Sequence, residues 1–258
     1  MVSIHSTAIV DPGAELGSGV EIGPYAVVGP HVRIGDDTRI MPHVFLDGHT
    51  TIGKGCTIFP FASVGAQTQD LKFKGGSPRV EIGDNTTIRE SATVHAATYD
   101  GGVTKVGNQC HIMAYAHIAH DCEVGNEVIM ANCATLAGHV IVEDQVIVGG
   151  LSGVHQFVRL GRLCIIGGCA KVTQNVPPFM MADGNPVAVR GLNSVGLKRK
   201  GISDDAQRAI KHAFRLLYRE SLSTSQALER FPSEIPESPE ITHLMDFIKL
   251  SERGISKG

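Results

Sequence analysis

Two histidines and a carboxylate lie within five residues in the stretch AYAHIAHDCEVGNE, at His117, His120 and Asp121. An imidazole beside a carboxylate can act as a general base, because the carboxylate fixes the ring tautomer and stabilises the imidazolium that forms. Two histidines three residues apart can also ligate zinc when a third donor comes from a neighbouring segment. The remaining interpretation is a pair of ordinary solvent-facing histidines, so the fold must decide among the three.

Two further histidines lie downstream in short motifs. His139 follows Gly138 in LAGHV, and His155 precedes Gln156 in VHQF. A glycine lets a backbone N–H approach a ligand closely, as a donor to a developing oxyanion must do. Neither a serine nor a cysteine stands in a nucleophile-elbow motif, which favours direct group transfer over a covalent intermediate.

A six-residue repeat organises most of the chain. Reading from Ile4 gives IHSTAI VDPGAE LGSGVE IGPYAV, each unit opening with an aliphatic residue, and the pattern returns from Ile82 and again from Val106. All 26 fifth positions are Ala, Val, Thr, Cys or Ser. Small residues at one fixed position indicate a crowded interior. Four of the six cysteines occupy this position and are interpreted as small core residues: Cys56, Cys110, Cys122 and Cys164.

An aliphatic first position and a small fifth position, without helical spacing, are typical of a left-handed parallel β-helix. Three hexads make one triangular coil, so the segment 4–177 should wind roughly nine to ten coils. We therefore predict a mainly β fold, with a left-handed parallel β-helix of hexapeptide repeats at 1–189 and a small α-helical C-terminal domain at 190–258. Glycines recur at the second position, as at Gly17 and Gly23, where we expect the corner to need a permissive backbone.

The repeat also predicts where the histidines lie. Because three hexads make one coil, the residue number modulo 18 gives the place of a side chain around the coil. The remainder is 9 for His117, 12 for His120, 13 for His139 and 11 for His155. These four side chains should share one edge of the prism on three successive coils, with His120 and His139 one coil apart in almost stacked positions. None occupies an inward position, so all four should point outward.

Two segments interrupt the repeat and should form loops that project from the prism. They are QTQDLKFKGGSPR at 67–79 and YDGGVTK at 99–105. Binding groups often lie on loops of a rigid scaffold, so Asp70, Lys72 and Lys74 are candidate ligand contacts. The alternative is solvated loop charge.

The repeat ends in NVPPFMMADGNPVAV, whose prolines and glycine mark a boundary. Beyond it, Ser203 should cap an amphipathic helix over SDDAQRAIKHAFRLLYRE, with further helices over STSQALERF and PEITHLMDFIKLSER.

The segment 190–258 is basic, with 12 Lys and Arg against 9 Asp and Glu. One helical stripe contains Arg208, Lys211, Arg215 and Arg219. It is either a solvated helix face or a dock for an acidic protein or a phosphorylated ligand.

The remaining composition narrows the class of protein. No segment approaches about 18 consecutive apolar residues, and the N-terminus lacks a basic region followed by an apolar run. We therefore expect a cytoplasmic protein without a membrane span. The 6 cysteines form no C-x-x-C motif, which argues against a zinc ribbon or a redox dithiol.

Five motifs together carry a resemblance to a known family. They are QDLK at 69–72, HIAHDC at 117–122, LAGHV at 136–140, VHQF at 154–157 and GLKRKG at 196–201. With these motifs, and over essentially its full length, the chain resembles the UDP-N-acetylglucosamine O-acyltransferases that begin the biosynthesis of lipid A, the lipid anchor of lipopolysaccharide. These enzymes belong to the hexapeptide-repeat acyltransferases.

The resemblance implies a homotrimer with active sites in the clefts between subunits. It implies transfer of an R-3-hydroxyacyl group from acyl carrier protein to the glucosamine 3-hydroxyl of UDP-N-acetylglucosamine (UDP-GlcNAc). The acyl group arrives on the phosphopantetheine of the carrier protein, and neither another cofactor, a metal nor a nucleic acid is implied.

The resemblance also implies residue roles. His120 would be the general base, Asp121 would orient it, and Gly138 would supply the oxyanion N–H. Gly168 falls where the family sets acyl length, and a glycine there leaves room for a longer chain. The implied substrate-binding residues are Gln69, Asp70, Lys72, His117, His139, His155, Gln156, Asn193 and Arg199.

Three positions depart from the family pattern. Val195 stands where an acid is common, Lys200 replaces an arginine, and Ala96 replaces the arginine that usually follows the histidine of VHAAT. A lysine keeps the positive charge but loses the bidentate fork of arginine, so the nucleotide contacts are the part of the site most affected.

Other functions stay open at this point. A 3-amino sugar nucleotide as acceptor would give an amide instead of an ester, and the histidine edge also permits a zinc-dependent β-helix hydratase. The sister N-acyltransferase of the same pathway is less favoured, because it normally carries an extra N-terminal domain and the first hexad here begins at Ile4. An acetyl-CoA-dependent acetyltransferase and a non-catalytic scaffold complete the alternatives.

Overall fold

Short strands stack in three parallel sheets, which form the faces of a left-handed parallel β-helix in the computed structural model of residues 1–258. Each strand pairs with the strand one coil away, so that Ile112 lies beside Met130 and Met130 beside Val148. This spacing of three hexads confirms the predicted coil length and the predicted fold class.

The strands are numbered in chain order and grouped by sheet. Sheet A contains β1 (Ser3–Ile4), β4 (Glu21–Ile22), β7 (Arg39–Ile40), β10 (Thr57–Ile58), β13 (Thr87–Ile88), β16 (His111–Ile112), β19 (Ile129–Met130), β22 (Ile147–Val148), β25 (Ile165–Ile166), β27 (Met180–Asp183) and β28 (Ala188–Leu192). Sheet B contains β2 (Ile9–Val10), β5 (Val27–Val28), β8 (Phe45–Leu46), β11 (Ser63–Ala66), β14 (Thr93–His95), β17 (His117–Ile118), β20 (Thr135–Leu136), β23 (Gly153–Val154) and β26 (Lys171–Val172). Sheet C contains β3 (Glu15–Leu16), β6 (Arg33–Ile34), β9 (His49–Ile52), β12 (Arg79–Ile82), β15 (Val103–Val106), β18 (Glu123–Val124), β21 (Ile141–Val142) and β24 (Arg159–Leu160).

The core is the interior of this prism. From the second coil onward, the first and fifth residues of the hexads are buried, as Val20 and Ile22 show, and the sixth residue faces outward, as Glu21 does. The four cysteines at fifth positions are buried free thiols, as predicted: Cys56, Cys110, Cys122 and Cys164. Small residues at the fifth position fit the limited space inside each corner of the coil.

Glycine recurs at the second position of the hexad, but the expected reason, a need for a permissive backbone, was wrong. The positive backbone angle falls at the fourth position instead, for example at Tyr25 with φ 59°. The second position needs glycine because neighbouring coils approach it closely: a β-carbon on Gly17 would lie 2.5 Å from Oδ1 of Asp36. Steric crowding between coils, not backbone conformation, therefore selects glycine there.

Three corners join the sheets, and we name them by the sheets they connect. The A–B corner leads from sheet A to sheet B, the B–C corner from B to C, and the C–A corner from C to A. The two predicted loops both leave the B–C corner, one between β11 and β12 and the other between β14 and β15. They contact each other where the Ser77 N–H donates to Oδ1 of Asp100 at 2.7 Å.

The chain leaves the prism through an antiparallel pair, β27 and β28, which completes sheet A. Four helices follow: α1 (Ser194–Arg199), α2 (Asp204–Tyr218), α3 (Thr224–Glu234) and α4 (Pro239–Lys249). The three longer helices were predicted, and the Ser203 hydroxyl caps α2 by accepting from the Ala206 N–H at 3.2 Å. The short α1 was not predicted. Strand β28 spans the predicted domain boundary between residues 189 and 190, and that boundary stays a prediction.

None of the four helices is both long enough and apolar enough to cross a lipid bilayer.

Candidate active site

The histidine edge predicted from the repeat is the B–C corner. His120 and His139 lie in the corners of adjacent coils, and the His139 N–H donates to the His120 carbonyl at 3.1 Å. Their rings lie next to each other, as the near-stacked positions predicted, and they meet edge to face, with centroids 5.2 Å apart and planes at 89°. The register of three hexads explains this, because it aligns His120 with Gly138 and Asp121 with His139.

His120 and Asp121 form a hydrogen-bonded dyad. Nδ1 of His120 lies 2.8 Å from Oδ2 of Asp121, and with the carboxylate ionised the ring N–H is the donor. The same oxygen accepts from the Thr98 N–H at 3.1 Å. The backbone N–H of Asp121 donates to the Thr104 hydroxyl at 2.8 Å. These contacts leave Nε2 of His120 free to exchange a proton with a ligand.

Asp70 brings the first loop to the dyad. Its Oδ2 lies 3.9 Å from Nε2 of His120, and the Thr98 hydroxyl donates to the same oxygen at 3.4 Å. The Lys72 N–H donates to Oδ1 at 3.0 Å, and this hydrogen bond is the main cause that lowers the pKa of the Asp70 carboxyl. Asp70 is therefore a carboxylate aimed at the proton-accepting side of His120. Gln69 and Lys72 lie exposed on the same loop.

Gly138 packs against the His120 ring. A β-carbon at this position would lie 2.3 Å from Cε1 and 2.4 Å from Nε2 of His120, so any side chain would displace the imidazole. The Gly138 N–H donates to no group of the chain. Gly138 therefore packs against the free nitrogen of the dyad and carries an unpaired backbone donor.

His117 lies on the face of sheet B next to this corner. Its Nδ1 is 2.7 Å from the Thr93 hydroxyl, and its ring meets His95 edge to face at 5.0 Å. Burial is the main cause that lowers the pKa of His117 to about 4, with further contributions from His95 and His120. Burial also lowers the pKa of His95. Both rings are thus neutral near pH 7, and His117 serves as a hydrogen-bonding group rather than a charge.

The other side of the dyad is bordered by two aromatic rings. His139 stacks on Phe157 of the next coil, with centroids 4.8 Å apart and planes at 8°, and its Nε2 is 3.8 Å from Oδ2 of Asp121. His155 and Gln156 lie exposed in the same corner as Phe157. The Nδ1 of His155 is 3.1 Å from the Gln156 carbonyl.

The same cluster offers donors for a metal ion. One ligand atom from each of His120, Asp121 and His139 can be chosen so that all lie within 4.8 Å of one another. Oδ2 of Asp121, however, already accepts from the His120 ring and from the Thr98 N–H. The arrangement therefore matches a carboxylate that orients a histidine more closely than a set of three free ligands.

Cys122 follows the dyad in sequence but points away from it. The side chain is fully buried, and Sγ contacts the Ala137 carbonyl at 3.1 Å. Burial raises the pKa of the thiol to about 12. A neutral, inward thiol cannot serve as a nucleophile at this site.

The remaining predicted residues lie at other corners of the same chain. Asn193 caps α1 at the C–A corner, where its amide N–H donates to the Leu163 carbonyl at 2.8 Å. Arg199 ends the same helix and is exposed. Gly168 is exposed at the A–B corner. One chain therefore brings together the predicted base, the acid predicted to orient it and the loop carboxylate, but not the predicted nucleotide and acyl-length residues.

Sequence reasoning missed four residues of this site: Thr93, His95, Thr98 and Phe157. His95 escaped because the second loop lengthens its coil, so that Thr93 pairs with His117 four hexads later instead of three, and the regular count fails there. Phe157 was detectable, since it lies one regular coil after His139 at the same hexad position.

Comparison with known proteins identifies the class first. A family model described as "Bacterial transferase hexapeptide (six repeats)" matches residues 1–35 and 104–138. A second, described as "Udp N-acetylglucosamine O-acyltransferase; Domain 2", matches residues 175–256. The chain is thus a hexapeptide-repeat transferase with a family-specific C-terminal segment.

Full-length relatives then identify the family. The chain is 50% identical over 258 residues, 100% of both chains, to the acyl-(acyl-carrier-protein)–UDP-N-acetylglucosamine O-acyltransferase of Thermodesulfovibrio yellowstonii. It is 48% identical to the enzyme of the same name from Verminephrobacter eiseniae, covering 99% of each. The LpxA structure from Acinetobacter baumannii matches with a TM-score of 0.95 at 45% identity, covering 98% of this chain and 99% of that one. LpxA from Bacteroides fragilis, described as a UDP-N-acetylglucosamine acyltransferase, matches with a TM-score of 0.96 at 41% identity, covering 98% and 100%. The chain belongs to the acyl-(acyl-carrier-protein)–UDP-N-acetylglucosamine O-acyltransferase family.

Proposed function

We propose that the protein transfers an R-3-hydroxyacyl group from acyl carrier protein to the 3-hydroxyl of UDP-GlcNAc, with His120 as general base. The observation that carries the proposal is the His120–Asp121 dyad, whose free Nε2 packs against Gly138, a residue with an unpaired backbone N–H. The names of the full-length relatives supply the substrates.

The reaction needs one proton to move twice. Nε2 of His120 takes the proton of the sugar hydroxyl as its oxygen attacks the thioester carbonyl, and the resulting imidazolium is stabilised by Asp121. The negative charge on the carbonyl oxygen is stabilised by the N–H of Gly138. Collapse of the tetrahedral intermediate breaks the carbon–sulfur bond, and the imidazolium returns the proton to the departing phosphopantetheine thiolate.

Direct transfer without an acyl-enzyme follows from the surroundings of the dyad. The nearest cysteine in sequence, Cys122, is buried with a raised pKa and hydrogen-bonds the Ala137 carbonyl. The hydroxyl of Thr98, in the same network, is buried and donates to Asp70, whose lowered pKa makes that carboxylate a weak base. The phosphopantetheine of the carrier protein is the only prosthetic group this scheme uses.

A homotrimer with sites between subunits is part of the same proposal. The base lies at the B–C corner, α1 with Asn193 and Arg199 at the C–A corner, and Gly168 at the A–B corner. Different corners of one prism face different directions. A site that uses all three sets of residues is complete only when corners of neighbouring copies meet, which cyclic symmetry provides.

The acyl chain and the carrier protein would approach from outside the prism. A β-carbon at Gly168 would meet only the Gly150 carbonyl, at 3.4 Å, so the packing of this chain does not itself require a glycine there. A side chain would instead project outward, into the space assigned to the end of the acyl chain.

The basic stripe of α2 and its C-terminus is exposed, as docking of the acidic carrier protein requires: Arg208, Lys211, Arg215 and Arg219. The cytoplasmic location stays a prediction.

The test is acyl transfer from 3-hydroxyacyl carrier proteins of several chain lengths to UDP-GlcNAc, with and without a chelator. We expect ester formation that the chelator does not inhibit. Loss of activity with chelator would favour the zinc interpretation of the His120, Asp121 and His139 cluster. Amide formation on a 3-amino analogue, without transfer to UDP-GlcNAc, would replace the hydroxyl acceptor by the amino sugar.

A further inference from the structure

The C–A corner carries a helix too short to be stable on its own. Helix α1 has six residues, and isolated helices of this length do not form in water. Its Leu197 is buried, whereas Val195 and Arg199, four residues apart on one face, are exposed. The position of Arg199 is therefore set by whatever holds the two ends of α1 against the prism.

The N-terminal end is held by Asn193. Its side-chain oxygen accepts from the Gly196 N–H at 2.9 Å, and its amide N–H donates to the Leu163 carbonyl at 2.8 Å. A β-carbon on Gly196 would lie 2.2 Å from the Asn193 amide nitrogen, so the cap leaves no room for a side chain there. Asn193 is buried, and these two contacts tie the start of α1 to the coil.

The C-terminal end is held by an ion pair that joins distant parts of the chain. Lys200, which caps the end of α1, contacts Oε2 of Glu127, 73 residues earlier in sequence, in the C–A corner. Oε1 of Glu127 accepts from the Gln145 side chain one coil further on, at 3.0 Å. The other amide atom of Gln145, Oε1, is buried without a partner. Gln145 thus holds the carboxylate of Glu127 in the orientation that meets Lys200.

We infer that Glu127 and Lys200 are positioning residues: they clamp the end of α1 to the C–A corner and so hold Arg199 where the sugar nucleotide binds. Lys200 then contacts Glu127 and not the diphosphate, although the family pattern places an arginine at its position. This inference rests on the proposed function only for the identity of the ligand that Arg199 meets.

The charges support a clamp. Lys200 is the main cause that lowers the pKa of Glu127, followed by Gln145, so the carboxylate is ionised at neutral pH. The side chains of Lys200 and Glu127 remain 37% and 38% exposed. Exposed ion pairs contribute little to global stability. A function for this pair must therefore be local, in the placement of the helix end.

The experiment compares Glu127→Gln, Lys200→Met, the double variant and Lys200→Arg in the full chain. Steady-state kinetics give kcat and the KM for UDP-GlcNAc, and hydrogen exchange without substrate follows the amides of 194–200. Glu15→Gln is the control, because it removes another exposed ion pair, with Arg33 on sheet C, that does not involve α1.

If the ion pair clamps α1, each of the two single variants, Glu127→Gln and Lys200→Met, should raise the KM for UDP-GlcNAc about two- to fivefold. This range corresponds to the free energy of an exposed ion pair, and kcat and Tm should be nearly unchanged. The double variant should be no worse than either single one, and Lys200→Arg should stay close to the wild type. Amides of 194–200 should exchange faster in both single variants and not in Glu15→Gln.

A direct phosphate contact from Lys200 predicts the opposite sign for one variant. Glu127→Gln would then free Lys200 and lower the KM or leave it unchanged, while Lys200→Met would still raise it, and this pattern would overturn the inference. Unchanged exchange of 194–200 in both variants would also overturn it. If the wild type transfers nothing to UDP-GlcNAc, the proposed function fails, but the exchange data still decide the clamp.

Discussion

The B–C and C–A corners are built from the same repeat, yet they hold their functional groups in different ways. At the B–C corner, His120, Asp121 and Gly138 are part of the coils themselves, and each position is fixed by the coil above or below it. At the C–A corner, Arg199 lies on a six-residue helix tied to the coils by side chains of Asn193 and Lys200.

With the proposed roles, the B–C corner would carry out the chemistry and the C–A corner would recognise the sugar nucleotide. A group built into a coil cannot shift without moving neighbouring coils, which suits a base that must meet its proton within a few tenths of an ångström. A group on a tethered helix adapts to a larger ligand. We therefore expect changes at the B–C corner to lower kcat and changes at the C–A corner and the helices to raise KM.

Among changes at the B–C corner, Gly138→Ala should lower kcat strongly and so tests the comparison most severely. The new β-carbon would lie 2.3 Å from the ring of His120, displacing the proposed base as well as crowding the proposed oxyanion donor. We expect kcat to fall by about 10²- to 10³-fold, the range for a lost oxyanion contact. Gly153→Ala is a matched control, since its β-carbon would meet nothing within 4 Å. Equal activity of the Gly138 and Gly153 variants would contradict the assignment.

Asp121→Asn should have the next largest effect. The amide keeps the shape of the side chain but loses the charge that stabilises the imidazolium and can hold the wrong tautomer of His120. We expect kcat to fall about 10- to 100-fold, in the range of lost outer-shell partners of a histidine, with the KM for UDP-GlcNAc changed far less. A selective rise in KM would instead make Asp121 a substrate contact.

The basic stripe tests the recognition side. Lys211→Gln with Arg215→Gln should raise the KM for acyl carrier protein a few-fold at low salt, with kcat retained, because exposed charges mainly affect encounter and weak docking. The difference from the wild type should shrink at high salt. If the KM for acyl carrier protein does not change in this variant, the stripe is an ordinary solvated helix face and not a docking site.

The smallest expected effect concerns the pH dependence of stability that His117 causes, next to the B–C corner. The folded pKa of His117 is about 4, below the usual value, so the unfolded chain binds the proton more readily. Its contribution to stability is therefore present above about pH 6.5 and is lost as the pH falls toward 4. Thermal unfolding between pH 7 and pH 4.5 should show a flatter decline of Tm for His117→Gln than for the wild type. Parallel curves would contradict a buried neutral His117.

Much of the fold was predictable because a six-residue period with small fifth residues permits few alternatives. The alignment of His120 with its neighbours on the next coil followed from counting three hexads per coil. The ring geometry did not follow from counting alone, because it depends on which hexad position each histidine occupies. His120 at a third position lies over Gly138, and His139 at a fourth position lies beside Asp121 and Phe157.

The parts that escaped prediction depend on contacts between distant segments. His95 lies in a coil lengthened by a loop, so the strand that contains it pairs with the strand of His117 four hexads later rather than three. Helix α1 has no strong pattern of its own and is held to the prism by Asn193, the buried Leu197 and Lys200. Such structure arises from tertiary contacts, which local sequence does not encode.

The most direct test of the account is the single-turnover rate of acyl transfer in His120→Ala beside the wild type, both saturated with acyl carrier protein and UDP-GlcNAc. The matched control is Cys122→Ala, which changes a buried neighbour in the same corner. The account predicts a loss of about 10²- to 10⁴-fold for His120→Ala, the range for a lost general base, and a nearly unchanged rate for Cys122→Ala. Full activity in His120→Ala, or its loss in Cys122→Ala, would contradict it.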